Sequence, residues 1–213
     1  MARILITSGP TRQYLDPVRY LTNASSGRMG RALAAAALAA GHQVTIVSGP
    51  VEVAYPDGAR VIPVVSTEEM LAECRAVFPH CDGVIGVAAP CDYRPTKIAA
   101  GKIAKTGEPL LLQLIETPDV VATLGSEKQG QWLVGFALET DDSRLRAVTK
   151  LEKKHCDLMV LNGPEAMNAL TTRVELIDPS GAVVAALAGT KEEVAAGIFR
   201  AIQTRLIDGQ PLK

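Results

Sequence analysis

The sequence predicts an α/β fold: a Rossmann-like, doubly wound, mainly parallel sheet with helices on both faces and a C-terminal antiparallel hairpin extension. Three observations predict it. Short apolar runs of strand length alternate with runs of helical period, the pattern of strand–helix–strand crossovers. Hydrophobic residues make up 47% of the chain and aromatics only 4%, so the core is built from Ala, Val, Leu and Ile, which suits parallel strands buried on both faces. Near the end, two alternating apolar runs flank Asp178-Pro179-Ser180-Gly181, a strong turn signal, and so form a hairpin. The 213 residues fit one domain, 1–213, with no internal repeat or linker.

Each element has its own signal. Residues 3–7 (Arg3-Ile4-Leu5-Ile6-Thr7) read as a fully buried first strand, and a long polar loop, 8–26, follows. A helix starts near Gly27-Arg28-Met29-Gly30 and runs through Ala40, with Gly41 just beyond its end, where a left-handed conformation needs no Cβ. Residues 43–47 form the second strand and 61–65 the third. Ser66 or Thr67 caps a helix over 68–78, whose Glu68 and Glu69 suit the positive end of the helix dipole. Residues 83–88 form the fourth strand, ending in Ala89-Pro90-Cys91-Asp92. Residues 93–109 carry Pro, Gly, Thr and Lys without an apolar period and read as a long loop of functional character. Then come an edge strand over 110–115, a helix from Pro118 through Leu124 and a buried strand over 132–137. A helix over 141–154 has its acidic residues first and its lysines last, as the dipole prefers. A strand at 158–161, the hairpin at 173–177 and 182–187, and a closing helix over 191–206 complete the chain.

Composition narrows the function. The formal charge is -1, from 22 basic and 23 acidic residues, so no global basic excess favours a nucleic acid and an anionic ligand must meet a local cluster of cations. Cys74, Cys81, Cys91 and Cys156 form no C-x-x-C pair and read as reduced, partly buried cytoplasmic thiols; no zinc pattern is completed. His42, His80 and His155 fall near element ends and are expected at the surface. The chain enters a strand directly, without the charged and apolar regions of a signal peptide, and the Ala-rich run after Gly30 is too short for a membrane helix. A cytoplasmic protein with no membrane partner is expected.

Open α/β sheets bind ligands beyond the carboxyl ends of their strands, here the loops at 8–26, 88–109, 139–142 and 162–172. The first ends in Asn23-Ala24-Ser25-Ser26-Gly27-Arg28-Met29-Gly30, two hydroxyls and two glycines at a helix start, where exposed N–H groups and the dipole make an anion site. It is neither G-x-G-x-x-G nor a Walker A loop, and spacing alone leaves a plain helix cap with a packing glycine as open. The second carries Asp92, placed to accept hydrogen bonds from ribose hydroxyls, and Lys97, Lys102 and Lys105, placed to neutralise phosphates. By spacing alone, a solvated charged loop accounts for these lysines equally.

Together the two loops resemble the signature of the phosphopantothenoylcysteine synthetase family. The resemblance rests on Thr11-Arg12, Leu15-Asp16-Pro17-Val18-Arg19-Tyr20-Leu21-Thr22-Asn23-Ala24-Ser25-Ser26-Gly27-Arg28-Met29-Gly30, Val47-Ser48-Gly49-Pro50, Ala88-Ala89 with Asp92-Tyr93-Arg94-Pro95, and Lys102-Ile103-Ala104-Lys105. It continues through Thr117-Pro118-Asp119, Val134-Gly135-Phe136-Ala137-Leu138-Glu139-Thr140, and Lys150-Leu151 with Lys154 and Asp157, in order over nearly the whole chain. The resemblance implies a ligase that couples the carboxylate of 4′-phosphopantothenate to cysteine through an acyl-nucleotide, with CTP as the nearer co-substrate and ATP as the alternative. It implies Asn23 at the acyl-nucleotide, Lys102 at the triphosphate and Arg19 near the substrate. It implies Asp92 at the ribose, Ala88, Ala89 and Phe136 at the base, Ser25, Ser26 and Gly27 on the phosphate-binding turn, and Gly9 and Lys105 beside the nucleotide. Magnesium is implied through the nucleotide phosphates rather than a protein cage. The alternating apolar residues of the late hairpin, 173–187, are expected to need cover from a second copy. The family is dimeric with sites drawing on both subunits, which implies a homodimer with the segment 162–172 near a partner's site, and a separate decarboxylase is implied. Residues 93–108 are expected to form a flap with no anchor to the core. Five positions depart from the family pattern: Pro10 and Gln13 in Gly9-Pro10-Thr11-Arg12-Gln13, Pro90 and Cys91 before Asp92, and Ala104 among the lysines. The rival on the same fold, an NAD(P)-dependent reductase, predicts G-x-G-x-x-G close behind the first strand and a ribose selector after the second; the chain has neither.

Overall fold

The computed structural model describes residues 1–138, 143–162 and 171–209. An eight-stranded sheet forms its centre. Six strands run parallel: β1 (Arg3–Ser8), β4 (Gln43–Ser48), β5 (Arg60–Pro63), β6 (Gly83–Gly86), β9 (Trp132–Leu138) and β10 (Leu158–Asn162). Two antiparallel strands, β11 (Thr171–Ile177) and β12 (Val183–Thr190), extend one edge as expected. The order is β12-β11-β10-β9-β6-β1-β4-β5. Read through the parallel strands, this is the 3-2-1-4-5-6 order of a doubly wound fold, whose switch point lies between β1 and β6.

The strand pleat sorts the core into two faces. Ile4, Ile6, Val44, Ile46, Ile85, Val134 and Val160 face α1 (Arg28–Ala39) and α5 (Lys191–Ile202). Leu5, Val47, Val84, Leu133, Met159 and Leu161 face the opposite layer, with α2 (Thr67–Val77) and α3 (Val120–Glu127). Both sets are almost free of solvent, which is why the strands read as continuous apolar runs rather than alternating ones. The helix α4 (Ser143–Lys153) links β9 to β10, and its Leu151 joins the second cluster. Small side chains let α1 sit close on the sheet: Ala32, Ala34 and Ala37 are buried, and Gly41 beyond its end has φ 83.

Three local expectations fail. The loop 8–26 contains a β-hairpin, β2 (Arg12–Asp16) with β3 (Arg19–Thr22), whose pairing is irregular between Tyr14 and Asp16. Its charged residues hide the strand pattern, and Arg12 stacks 4.5 Å over the Tyr20 ring. The expected edge strand is not in the main sheet: β8 (Leu114–Glu116) pairs antiparallel with β7 (Tyr93–Pro95) in a separate ribbon that carries residues 96–113 as an arm. His42 is buried: its Nδ1 accepts from the Ala2 N–H and its Nε2 pairs with the Gln203 side chain at 2.6 Å, which ties α5 to the amino end of the sheet. His80 and His155 are exposed as expected, and the four cysteines are free and buried. The closing helix ends at Ile202 and passes into a π-helical turn, Gln203–Ile207. The acidic start at Asp141 and Asp142, the loop 139–142, and residues 163–170 of the segment expected near a partner's site lie outside the described residues.

Candidate active site at the switch point

The crevice beyond β1 and β6 is held by a buried web of hydroxyls and backbone. Thr11 Oγ1 pairs with Thr67 Oγ1 at 2.8 Å and accepts from the Cys91 N–H at 2.8 Å. The Cys91 carbonyl accepts from the hydroxyls of Thr67 and Thr117. Ala89 N–H donates to the Gly9 carbonyl at 2.9 Å, and Ala88 N–H to Thr7 Oγ1 at 3.2 Å. These bonds fix residues 88–92 against the end of β1, satisfying backbone groups that would otherwise be buried unpaired. Two close approaches complete the frame. A Cβ at Gly49 would stand 1.6 Å from the Pro10 carbonyl oxygen, and one at Gly30 would stand 2.1 Å from Ser8 Oγ.

Two connected lobes open above this frame. The larger, about 490 Å³, is lined by the 23–30 turn, the 87–90 loop, Phe136 and Asn162, with Arg28, Lys150, Lys154 and Lys191 as its cations. The start of α1 faces it: the N-cap Gly27 is left-handed, φ 74, with no side chain capping the first turn and no acidic residue in it. Its N–H groups and four nearby cations make this lobe an anion site. Burial pulls the Lys191 ammonium below its ordinary pKa, and the Arg28 charge pulls it further. Among the described residues, the Asn162 Oδ1 is buried without a hydrogen-bond partner, an acceptor at the lobe's wall. The smaller lobe, about 330 Å³, is lined by Thr117, Asp119, Lys153 and residues that include Cys91. Asp119 caps α3 by accepting from Ala122 N–H at 2.9 Å and pairs with Lys154 at 3.0 Å. Ala88, Pro90, Asp92, Phe136 and Lys154 line both lobes. Among the described residues, no group of three His, Cys, Asp or Glu side chains stands together as a metal cage.

The residues singled out in the sequence divide into three groups. Asn23, Ser25, Ser26, Gly27, Ala88, Ala89, Asp92 and Phe136 line the cleft. Asn23 lies at its rim, donating from Nδ2 to the carbonyls of Ala89 (3.2 Å) and Pro90 (2.8 Å). Gly9, left-handed at φ 74, lies beneath the floor and braces Ala89 through its carbonyl. Arg19, Lys102 and Lys105 line neither lobe. They belong to the hairpin and the arm, which are fastened together. Ala99 N–H donates to the Leu15 carbonyl at 2.9 Å, Arg19 Nη2 donates to the Ile103 carbonyl at 2.9 Å, and Ile103 N–H donates to Asp16 Oδ2 at 3.1 Å. The expected flap without anchors is therefore strapped at its middle. Sequence reasoning missed the threonine web and Lys191, while Asn162 opens the loop 162–172 that it placed at the ligand-binding end of the sheet. Lys191 and Glu193 open α5 behind the capping residue Thr190, and a lysine at a helix start carries no signal of the distant turn it faces. Gln13 is also explained: its Nε2 donates to Glu68 Oε2 at 2.9 Å in a nearly buried position, while Arg94 pairs with the other Glu68 oxygen.

Comparison with known proteins agrees with this geometry. Residues 1–206 match the DNA/pantothenate metabolism flavoprotein C-terminal domain. A cysteine/cysteine sulfinic acid decarboxylase from an unknown prokaryotic organism is 42% identical over 208 residues, 95% of this chain and 58% of that protein. The Coenzyme A biosynthesis bifunctional protein CoaBC of Vibrio vulnificus (strain YJ016) is 40% identical over 208 residues, 94% of this chain and 52% of that protein. The chain thus spans about half the length of these curated relatives. The crystal structure of the C-terminal domain of CoaBC superposes with a TM-score of 0.84 at 36% identity, covering 97% of this chain and 96% of that one. The doubly wound sheet, the Asn23-to-Gly30 turn at its switch point and the match over residues 1–206 place the chain in the DNA/pantothenate metabolism flavoprotein C-terminal domain family, the phosphopantothenoylcysteine synthetase family that its motifs resemble.

Proposed function

We propose that this chain is a phosphopantothenate–cysteine ligase that uses CTP, works in the cytoplasm as a homodimer and supplies a decarboxylase with its product. One observation carries the reading: the cleft joins an uncapped helix start, ringed by cations, to a second lobe entered past Asp92 and Phe136. Two anionic substrates need such a pair of lobes. The sequence implies the nucleotide phosphates on the 25–30 turn; with Arg28 and Lys191 beside it, that turn also suits the phosphate of phosphopantothenate. The nucleotide suits the lobe of Asp92, Asp119 and Lys154. Its base lies near Phe136 and Ala88.

The carboxylate oxygen attacks the α-phosphorus of CTP. A new O–P bond forms, and the bond to the bridging oxygen of pyrophosphate breaks. The amine of cysteine then attacks the acyl carbon, a C–N bond forms, CMP leaves with the electron pair and the amine loses a proton. The protein's share is to align three substrates and spread the phosphate charge. Asn23, held by two carbonyls through its Nδ2, keeps Oδ1 for the substrates. Magnesium would shield phosphate charge during transfer, held through the nucleotide phosphates.

The homodimer is supported by the arm. Ile98, Leu110, Leu111, Leu112, Leu114 and Ile115 are all exposed, Leu111 by 92%, an apolar patch of the kind that marks an interface. A second copy that covers it would bring an arm, with Lys102 and Lys105, towards a partner's cleft. The late hairpin is a weaker candidate, because α5 covers one of its faces through Val184, Ala185 and Leu187. Pyrophosphate release measured with phosphopantothenate and either CTP or ATP tests the nucleotide choice: release several-fold faster with CTP is expected, and equal or faster release with ATP contradicts it.

A further inference from the structure

The carboxylate of Asp16 is wholly buried at the turn of the hairpin, yet one of its three backbone hydrogen bonds reaches another part of the molecule. Oδ1 accepts from the Val18 and Arg19 N–H groups, both at 2.9 Å, which shapes the turn. Oδ2 accepts from the Ile103 N–H at 3.1 Å and stands 3.3 Å from Arg19 Nη1. Arg19 Nη2 closes the ring on the Ile103 carbonyl at 2.9 Å. Both backbone groups of one arm residue are thus held by one ion pair, whose carboxylate is buried and whose guanidinium is partly exposed. That residue directly follows Lys102. The rest of the arm between 97 and 112 is exposed apart from Ala99 and Ile103, the two residues bonded to the hairpin.

From this geometry we infer that Asp16 is a positioning residue for the ligase reaction: it pins Ile103 through its amide and so sets where the Lys102 ammonium is delivered. The inference rests on the ligase reading above. A lysine is a point charge on a flexible stem. Unless its Cα is fixed, that charge is spread over many positions and little of it reaches the phosphate when charge develops there. The buried carboxylate supplies the fixed point, and Arg19 gains its orientation from the same contact. A hairpin that looks like a spacer between the first strand and the anion-binding turn becomes the mount of the arm. An asparagine at position 16 keeps the volume and one acceptor oxygen but turns an N–H₂ toward donors, so the clasp on Ile103 opens while the turn survives.

The test compares the purified wild-type chain with Asp16→Asn and with Ile103→Pro, which removes the arm's donor and leaves Asp16 intact. Amide hydrogen exchange reads the clasp without reference to activity. In Asp16→Asn, the Ile103 and Ala99 amides should exchange faster, with the amides of β1 and β10 unchanged. Pyrophosphate release from phosphopantothenate and CTP, without cysteine, reads the delivery of Lys102. Both variants should lose roughly 10–100-fold in rate at saturating nucleotide, the cost of misplacing a catalytic group by about an ångström, while staying folded at the assay temperature. Protected Ile103 in Asp16→Asn overturns the clasp. Fast exchange with an undiminished rate, or a rate loss in Asp16→Asn but not in Ile103→Pro, overturns the positioning role. If the wild type releases no pyrophosphate, the ligase reading fails, and the exchange data still decide whether the clasp exists.

Discussion

Asn23 is held by two hydrogen bonds that an aspartate cannot make, because both partners, the carbonyls of Ala89 and Pro90, are acceptors. Asn23→Asp would set a carboxylate against two carbonyls and beside a phosphate-linked acyl group. The expected outcome is a slowed second step with acyl-nucleotide accumulating on the enzyme, read by mass spectrometry after quenching; normal turnover without an intermediate contradicts the role given to Asn23. Gln13→Glu is expected to cost about 1–3 kcal/mol, since it replaces a nearly buried donor to Glu68 with a second carboxylate. Urea unfolding at neutral pH measures it, and the same change beside Glu68→Gln should be much milder. For the thiols, burial pushes Cys74 and Cys156 up to about 12 and Cys81 up to about 11, and burial also raises Cys91. All four should resist alkylation at pH 8 in the native state and react after unfolding. The Asp16 carboxyl is pushed up by burial, but the Val18 and Ile103 N–H groups and the Arg19 charge outweigh this and hold it below its ordinary value of 3.8. Its contribution to stability is therefore full above that value and lost as the pH falls through the lowered folded value. The stability gap between wild type and Asp16→Asn should narrow as urea titrations move from pH 7 towards pH 3. At this scale the local motif was legible in the sequence, since Asn23, Ser25, Ser26 and Gly27 are neighbours in the chain. The threonine web was not, because Thr11, Thr67 and Thr117 meet only after three elements have folded.

Helices and strands are positioned here by glycines as much as by apolar faces. A Cβ at Gly125 would stand 2.0 Å from the Lys154 carbonyl oxygen, which is backbone and cannot turn aside. Gly125→Ala should push α3 from the turn after α4 and loosen the Lys154–Asp119 pair at the nucleotide lobe. The expected result is a loss of about 1–3 kcal/mol by urea unfolding together with weaker nucleotide binding by calorimetry; unchanged values for both contradict this packing. The parallel strands were legible because burial on both faces makes their runs continuously apolar, and helix boundaries held within a residue or two where caps mark them, as Ser66 does for α2. The two small ribbons were not. Tyr93 pairs with Glu116 across an arm of low apolar period, and Arg12 pairs with Thr22 through a hairpin whose pattern is broken by a bulge and a buried aspartate. Such pairings are decided by tertiary contacts rather than by local propensity.

At the scale of the whole molecule, the proposed reaction would divide binding and activation between the crevice and an arm that carries Lys97, Lys102 and Lys105. No helix among the described residues is long and apolar enough to cross a membrane, and the exposed leucines of the arm call for another surface. Leu111→Asp should convert a sedimenting dimer to a monomer and lower the rate of pyrophosphate release in the same preparation; an active monomer would remove the arm from any partner's site. The ligase reading itself stands on one sequence of events in the cleft, and quench mass spectrometry follows it directly. The purified chain is mixed with phosphopantothenate, CTP and magnesium, first without cysteine and then with it. The expected result is a phosphopantothenoyl-cytidylate mass with one equivalent of pyrophosphate, replaced on adding cysteine by phosphopantothenoylcysteine and CMP. No acyl-nucleotide and no pyrophosphate, with CTP or with ATP, would contradict it.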